Sequence, residues 1–155
     1  MLDTPRIIQT TPQIYAYLHL SDVTWDAIGT VMGPGLNEVH AALKAQGIEP
    51  TGPWFTHHLR RPTDTFDFEI CVPVGVEIVP EGRVKPGVWP AMTVARTVYS
   101  GPYEGLGEAW GEFIDWIETQ GREPAPDLWE RYLAGPEAGC DAALWRTELN
   151  RPLVG

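Results

Sequence analysis

Hydrophobic positions in this chain fall into short runs whose period switches between two and three-to-four residues. Ile14-Tyr15-Ala16-Tyr17-Leu18-His19-Leu20 is dense in aromatic and aliphatic residues and predicts a strand. Leu36, Val39 and Leu43 then recur at three- and four-residue steps, which predicts one face of a helix. Met32 either extends that face across Gly33-Pro34-Gly35 or precedes the true start. Gly47 is the expected C-cap, with Pro50 beyond it. Residues 54–59 and 66–72 predict two further strands, separated by the turn chemistry of Pro62-Thr63-Asp64. In the second of these, Phe66, Phe68 and Ile70 point one way and Asp67, Glu69 and Cys71 the other.

The same order returns. Residues 92–99 predict a strand, and Ser100-Gly101-Pro102-Tyr103 a turn into a helix. Leu106, Trp110, Phe113 and Ile117 line one face of that helix, with Ala109 and Ile114 beside them. Gly121 is its expected C-cap, and residues 128–134 and 143–149 close the unit as strands. Local sequence repeats too. Gln46-Gly47-Ile48-Glu49-Pro50 returns 74 residues later as Gln120-Gly121-Arg122-Glu123-Pro124. Glu69-Ile70-Cys71-Val72-Pro73-Val74 returns after 79 as Glu148-Leu149-Asn150-Arg151-Pro152-Leu153.

The expected fold is therefore α+β: duplicated β-α-β-β units over residues 11–74 and 91–153, related by a pseudo-two-fold. They would form an antiparallel sheet backed by two helices. Residues 75–90, rich in Pro and Gly, read as the linker, and the first ten residues as a loose surface segment. The whole chain of 155 residues reads as a single domain, and the seam between the halves as the place for a ligand.

Charge and composition narrow the function. The net charge of −10 comes from 21 acids against 11 Lys and Arg, a field that disfavours direct nucleic-acid binding. No apolar run approaches a membrane span, and no signal peptide is evident. Cys71 reads as a small apolar core residue in a strand, and Cys140 as part of a polar loop over residues 135–141. Two isolated cysteines favour a cytoplasmic setting. Seven tryptophans in an acidic chain suit a cationic or flat aromatic ligand, although any single one is more readily read as filling the core.

Positions that differ between the halves are freer to serve chemistry. At the 74-residue offset, Phe55-Thr56-His57-His58-Leu59 faces Trp129-Glu130-Arg131-Tyr132-Leu133. Glu130 stands opposite Thr56, and Tyr132 opposite His58. Alternation puts Leu128, Glu130 and Tyr132 on one strand face and Trp129, Arg131 and Leu133 on the other. Glu130 is then either a surface acid, solvated or paired with Arg131, or a pocket acid among aromatic rings. A pocket acid could hold a cation, or act as a general base when burial tunes it. Tyr132 and Tyr103 could orient water or donate a proton. His57 and His58 are adjacent, so a strand sends them to opposite faces, and His19 and His40 are distant. No metal site or cofactor is expected. Ser21 and Ser100, the only serines, lack a nucleophile elbow, and the Gly-Pro turns lack a phosphate-loop pattern.

Three segments together resemble the GyrI-like small-molecule-binding family, which includes effector-binding domains of AraC- and MerR-type multidrug-responsive regulators. They are Ser100-Gly101-Pro102-Tyr103, Trp129-Glu130-Arg131-Tyr132-Leu133 with Pro136, and Thr147-Glu148-Leu149 with Pro152-Leu153. The similarity covers roughly residues 11–155. It implies a cleft between two strand-helix-strand-strand units, with a pocket glutamate at Glu130. Tyr132, Trp129 and Tyr103 would line it, Thr56 and His58 would lie across it, and Phe55 or Trp54 would add apolar wall. The chain has no segment resembling a helix-turn-helix, so it reads as a stand-alone version. Three functions follow from the resemblance. The first is binding of hydrophobic, aromatic or cationic small molecules. The second is hydrolysis of cyclopropane-containing alkylating compounds by Glu130 with Tyr132 and Tyr103. The third is a protein-interaction role as a regulator or DNA gyrase partner.

Overall fold

A computed structural model describes residues 2–135 and 141–154, and the fold is mixed α+β. Pro136 and Cys140, both noted from sequence, lie outside the described residues. The chain divides into two compact units, Thr11–Ala91 and a second made of Met1–Thr10 with Met92–Gly155. Among the described residues, each contains one α-helix and an antiparallel sheet.

To number the strands in chain order, β1 (Arg6–Gln9) belongs to the second unit. The unit Thr11–Ala91 runs β2 (Gln13–Thr24), α1 (Ile28–Ala45), β3 (Phe55–His58), β4 (Thr65–Pro73) and β5 (Val84–Trp89). Its strands lie in the order β3-β4-β2-β5. Phe68, Ile70 and Val72 of β4 and Ala16 and Leu18 of β2 are fully buried on the face that receives α1, whose Val39, Ala42 and Leu43 cover them. Each such aliphatic or aromatic side chain contributes about 1.5–3 kcal/mol on burial.

Helix α1 settles the Met32 question, because it runs unbroken through Gly33-Pro34-Gly35. Gly33 and Pro34 are exposed, so the proline ring meets solvent and the helix forfeits one hydrogen bond. Gly35 is buried, and a Cβ there would stand 2.5 Å from Ile70 Cδ1, so the glycine lets helix and sheet approach. Gln46 caps the helix and Gly47 follows in the left-handed conformation at φ 68°. Ile48 N donates to Leu43 O at 2.9 Å, closing the helix end.

The second unit runs β1, β6 (Thr93–Ser100), a 3₁₀ turn (Tyr103–Gly105), α2 (Leu106–Thr119), β7 (Glu123–Pro124), β8 (Leu128–Ala134), another 3₁₀ turn (Ala142–Leu144) and β9 (Arg146–Val154). The order is β1-β6-β9-β8, with the short β7 on β9. Ala109, Trp110, Phe113 and Ile117 of α2 pack on Ala95, Tyr99, Leu128 and Leu149. Gly121, at φ 69°, follows Gln120, which is the cap of α2.

Three expectations change. Residues 75–90 are not only a connection, because Val84–Trp89 forms a strand pairing with β2. Pro86 and Gly87 disguised it, but β5 pairs with β2 alone in this unit, and such an outer strand tolerates proline. The first ten residues are not loose: Arg6–Gln9 pairs with β6. The last strand begins at Arg146 rather than 143 and continues to Val154, since Ala142–Leu144 turns as a 3₁₀ helix. Within each unit the register agrees with the two sequence offsets: Thr56 pairs with Ile70, and Glu130 with Leu149.

Candidate functional site

Strand alternation carries Leu128, Glu130 and Tyr132 onto the α2 face of β8, and all three are buried. Glu130 is 8% exposed, which removes the surface-acid alternative. Its carboxylate is held from two sides. Trp110 Nε1 donates to Oε2 at 2.6 Å, and Tyr132 OH donates to Oε1 at 2.8 Å. Both donors are neutral groups that fix the orientation of the carboxylate. Arg131, on the other face of β8, pairs with Glu148 at 3.4 Å.

Aromatic rings extend from this carboxylate in both directions. Tyr103 meets Tyr132 edge-on at 6.1 Å between centroids, and Trp145 lies 4.9 Å from Tyr103. On the helix, Trp110 adjoins Phe113 at 5.8 Å, and Phe113 stacks with Trp116 at 6.3 Å. Tyr103 and Trp145 are only half-buried and come from 3₁₀ segments or their ends, not from α2 or the sheet. Thr147 pairs with Tyr132 across the strands and so shares its face. Its hydroxyl oxygen is buried and has no hydrogen-bond partner among the described residues.

The remaining sequence candidates divide by face and by unit. Trp129 is buried on the opposite face of β8 from Glu130, paired with Asn150. Thr56, His58, Phe55 and Trp54 belong to the Thr11–Ala91 unit. There Thr56 Oγ1 and His58 Nε2 lie 3.1 Å apart, and the His58 ring stacks on Phe68 at 5.3 Å. Trp54 packs against the core under α1. Phe55 points to the other side of β3, against Tyr15 at 5.3 Å and Trp89 at 5.4 Å.

That other side holds a second polar group. Tyr15 OH and His57 Nδ1 each lie 3.3 Å from Glu69 Oε1. Burial raises the ionisation of the Tyr15 hydroxyl well above its usual range, with Cys71 and Glu69 adding to the effect. Burial and Glu69 likewise push the Cys71 thiol well up. A cavity of about 400 Å³ opens on this face, lined by Tyr17, His19, Glu69 and Lys85 among others, and includes none of the Glu130 group.

Sequence reasoning gave no site role to Trp110, Trp145 or Thr147. Trp110 read as one more ring on the helix face, yet a buried indole N–H usually finds an acceptor. A tryptophan on the core face of a helix beside a strand carrying an apolar-face acid was the available signal. Among the described residues no three His, Cys, Asp or Glu side chains are grouped to hold a metal ion, and no helix is long and apolar enough to cross a membrane.

The profile of the GyrI-like small molecule binding domain matches residues 4–153. The chain belongs to the GyrI-like family. Its fold is that of the C-terminal domain of EcmrR, with a TM-score of 0.86 at 22% identity over 97% of both chains. EcmrR in its DNA complex gives 0.84 at 24% identity, covering 97% of this chain but 57% of that one, so this GyrI-like chain spans little more than half of that EcmrR chain. A hydrolase from Listeria innocua gives 0.69 at 13% identity, over 97% of this chain and 91% of that one. SAV2435 bound to tetraphenylphosphonium gives 0.66 at 9%, over 99% and 95%. No curated protein matches the sequence.

Proposed function

We propose that this GyrI-like chain binds hydrophobic organic cations beside Glu130. The observation that carries this reading is a buried carboxylate oriented by Trp110 and Tyr132 inside a row of aromatic rings. A desolvated negative charge and ring faces reinforce each other toward a soft, weakly hydrated cation. Such a ligand needs no strong hydrogen bonds, because its charge is spread and its rings bury apolar area. Tyr103 and Trp145, held on short 3₁₀ segments, are the side chains we expect to move aside for it. SAV2435, a protein of similar fold, is known in a structure bound to tetraphenylphosphonium, a compound of this chemistry.

One contact favours a second reading. Tyr132 OH bonded directly to Glu130 at 2.8 Å is an acid–base pair that could activate water against a strained electrophile. Hydrolysis of a cyclopropane-containing alkylating agent would place Glu130 as the base and Tyr132, with Tyr103, as proton donors. A role as a gyrase partner draws on no comparable contact.

Soaking crystals with tetraphenylphosphonium tests the binding reading. Density for the phosphonium against Tyr132 and Glu130 is expected, and density only elsewhere would refute it. Incubation with a cyclopropane-containing alkylating agent, followed by mass spectrometry, tests the hydrolytic one. Product formed by the native protein and lost in Glu130→Gln would establish catalysis.

A further inference from the structure

The sheet face turned away from α2 concentrates positive charge in an otherwise acidic protein. Arg6 on β1 stands directly opposite Arg96 on β6, and Arg96 stands opposite Asn150 on β9. In the next row Arg131 stands opposite Glu148. Like charges placed directly across a strand pair repel, so an arginine pair here calls for a reason.

The internal contacts satisfy only part of this group. Arg96 Nε donates to Asn150 Oδ1 at 2.6 Å and lies 3.4 Å from Glu148 Oε1. Asn150 Nδ2 donates to the same Glu148 oxygen at 3.0 Å, and Arg131 reaches it at 3.4 Å. The Glu148 carboxylate thus meets two guanidinium groups and one amide, and does not reach Arg6. Arg146, further along β9, is matched separately by Asp3 at 3.4 Å. Among the described residues, the terminal nitrogens of Arg96 have no hydrogen-bond partner, and the Arg6 side chain has neither a hydrogen bond nor an ion pair. Burial, together with Arg131 and Arg6, lowers the proton affinity of Arg96, against the pull of Glu148.

A guanidinium presents a planar fork that matches two oxygens of a carboxylate or phosphate. Two such forks on facing strands lie about 5 Å apart at their β-carbons, close enough to share one tetrahedral or planar oxyanion. The half-buried Arg96 is fixed by Asn150 and Glu148, whereas Arg6 is exposed and free to close over a ligand. We propose that Arg6 and Arg96 form a binding fork for a small phosphate- or carboxylate-bearing anion, separate from the Glu130 group and independent of what binds there.

The test follows arginine Nε–Hε resonances by NMR during titration with inorganic phosphate and, in a parallel arm, with succinate. Sodium chloride at matched ionic strength serves as the control. Saturable shifts of Arg6 and Arg96 are expected with at least one of the two oxyanions, and the arm that responds identifies the source. Arg6→Gln, at an exposed position, should weaken that binding about tenfold, the equivalent of one charge-assisted hydrogen bond. Shifts no larger than those from chloride in both arms, or equal affinity in Arg6→Gln, would overturn the proposal.

Discussion

Trp110 on α2 reaches Glu130 on β8 through an indole hydrogen bond of 2.6 Å, tying helix to sheet by a polar contact inside the core. The pairing makes Glu130 a structural group as well as a candidate ligand-binding one. Trp110→Phe keeps most of the ring but removes the donor. It should destabilise the protein by about 1.5–3 kcal/mol, the range for hydrogen bonds to charged groups. Urea unfolding of Trp110→Phe, Glu130→Gln and the double variant would measure the coupling. Additive effects would mean the contact stabilises nothing.

Tyr132→Phe removes the other donor to the same carboxylate. The hydroxyl is buried, so about 1–2 kcal/mol of stability should be lost with little change in packing. If Tyr132 also takes part in turnover of an alkylating substrate, the rate should fall with the KM nearly unchanged. A matched fall in stability with unaltered turnover would confine Tyr132 to holding Glu130 in place.

Gly35 permits the close approach of α1 to Ile70. Gly35→Ala adds helix propensity of about 1 kcal/mol but drives a methyl to 2.5 Å from Ile70 Cδ1. Overpacking of this kind costs about 1–3 kcal/mol, so the single variant should be less stable. In an Ile70→Val background the offending carbon is gone, and the same change should become neutral or stabilising. Thermal melts of the four proteins decide it; destabilisation by Gly35→Ala in both backgrounds would place the strain elsewhere.

Alkaline pH should weaken the fold through Tyr15 and Cys71. Both hold their protons above the values of the unfolded chain, chiefly because burial disfavours the charged forms. Raised folded values mean that the stabilisation is complete below the unfolded ionisation, near 8.5 for cysteine and 10 for tyrosine, and is lost as pH rises beyond it. Each group should contribute a slope of about −1.4 kcal/mol per pH unit once its unfolded form ionises. Tyr15→Phe and Cys71→Ser should each flatten the decline in denaturant unfolding free energy between about pH 9 and 11. An unchanged slope would show that neither proton matters to stability.

Periodicity made most of the fold legible. Trp110, Phe113 and Ile117 declared the buried face of α2, and the alternation of β4 correctly separated Phe68 and Ile70 from Glu69 and Cys71. Strands β1 and β5 were hidden for physical reasons. Both have a single partner within their unit, and such strands can be short, as Arg6–Gln9 is, or can carry Pro86 and Gly87 without loss of the sheet. Of the site, the position of Glu130 on an apolar strand face was readable, because a period of two fixes faces without knowledge of neighbours. What Glu130 touches was not. Trp110 is twenty residues away, and only the docking of α2 on β8 brings its N–H to the carboxylate. Trp129, adjacent in sequence, points to the other face for the same reason that Tyr132 shares the face of Glu130.

The claim that Glu130 supplies the charge recognised by a hydrophobic cation is tested most directly by calorimetric titration of tetraphenylphosphonium into the native protein and into Glu130→Gln. The substitution keeps the shape of the side chain and removes its charge; its amide oxygen can still accept from Trp110, and its NH2 can donate to a Tyr132 hydroxyl turned to accept. Binding by the native protein and a loss of at least about tenfold in the variant, roughly 1.4 kcal/mol, are predicted. Equal affinity in both proteins, with the variant folded, would contradict the account.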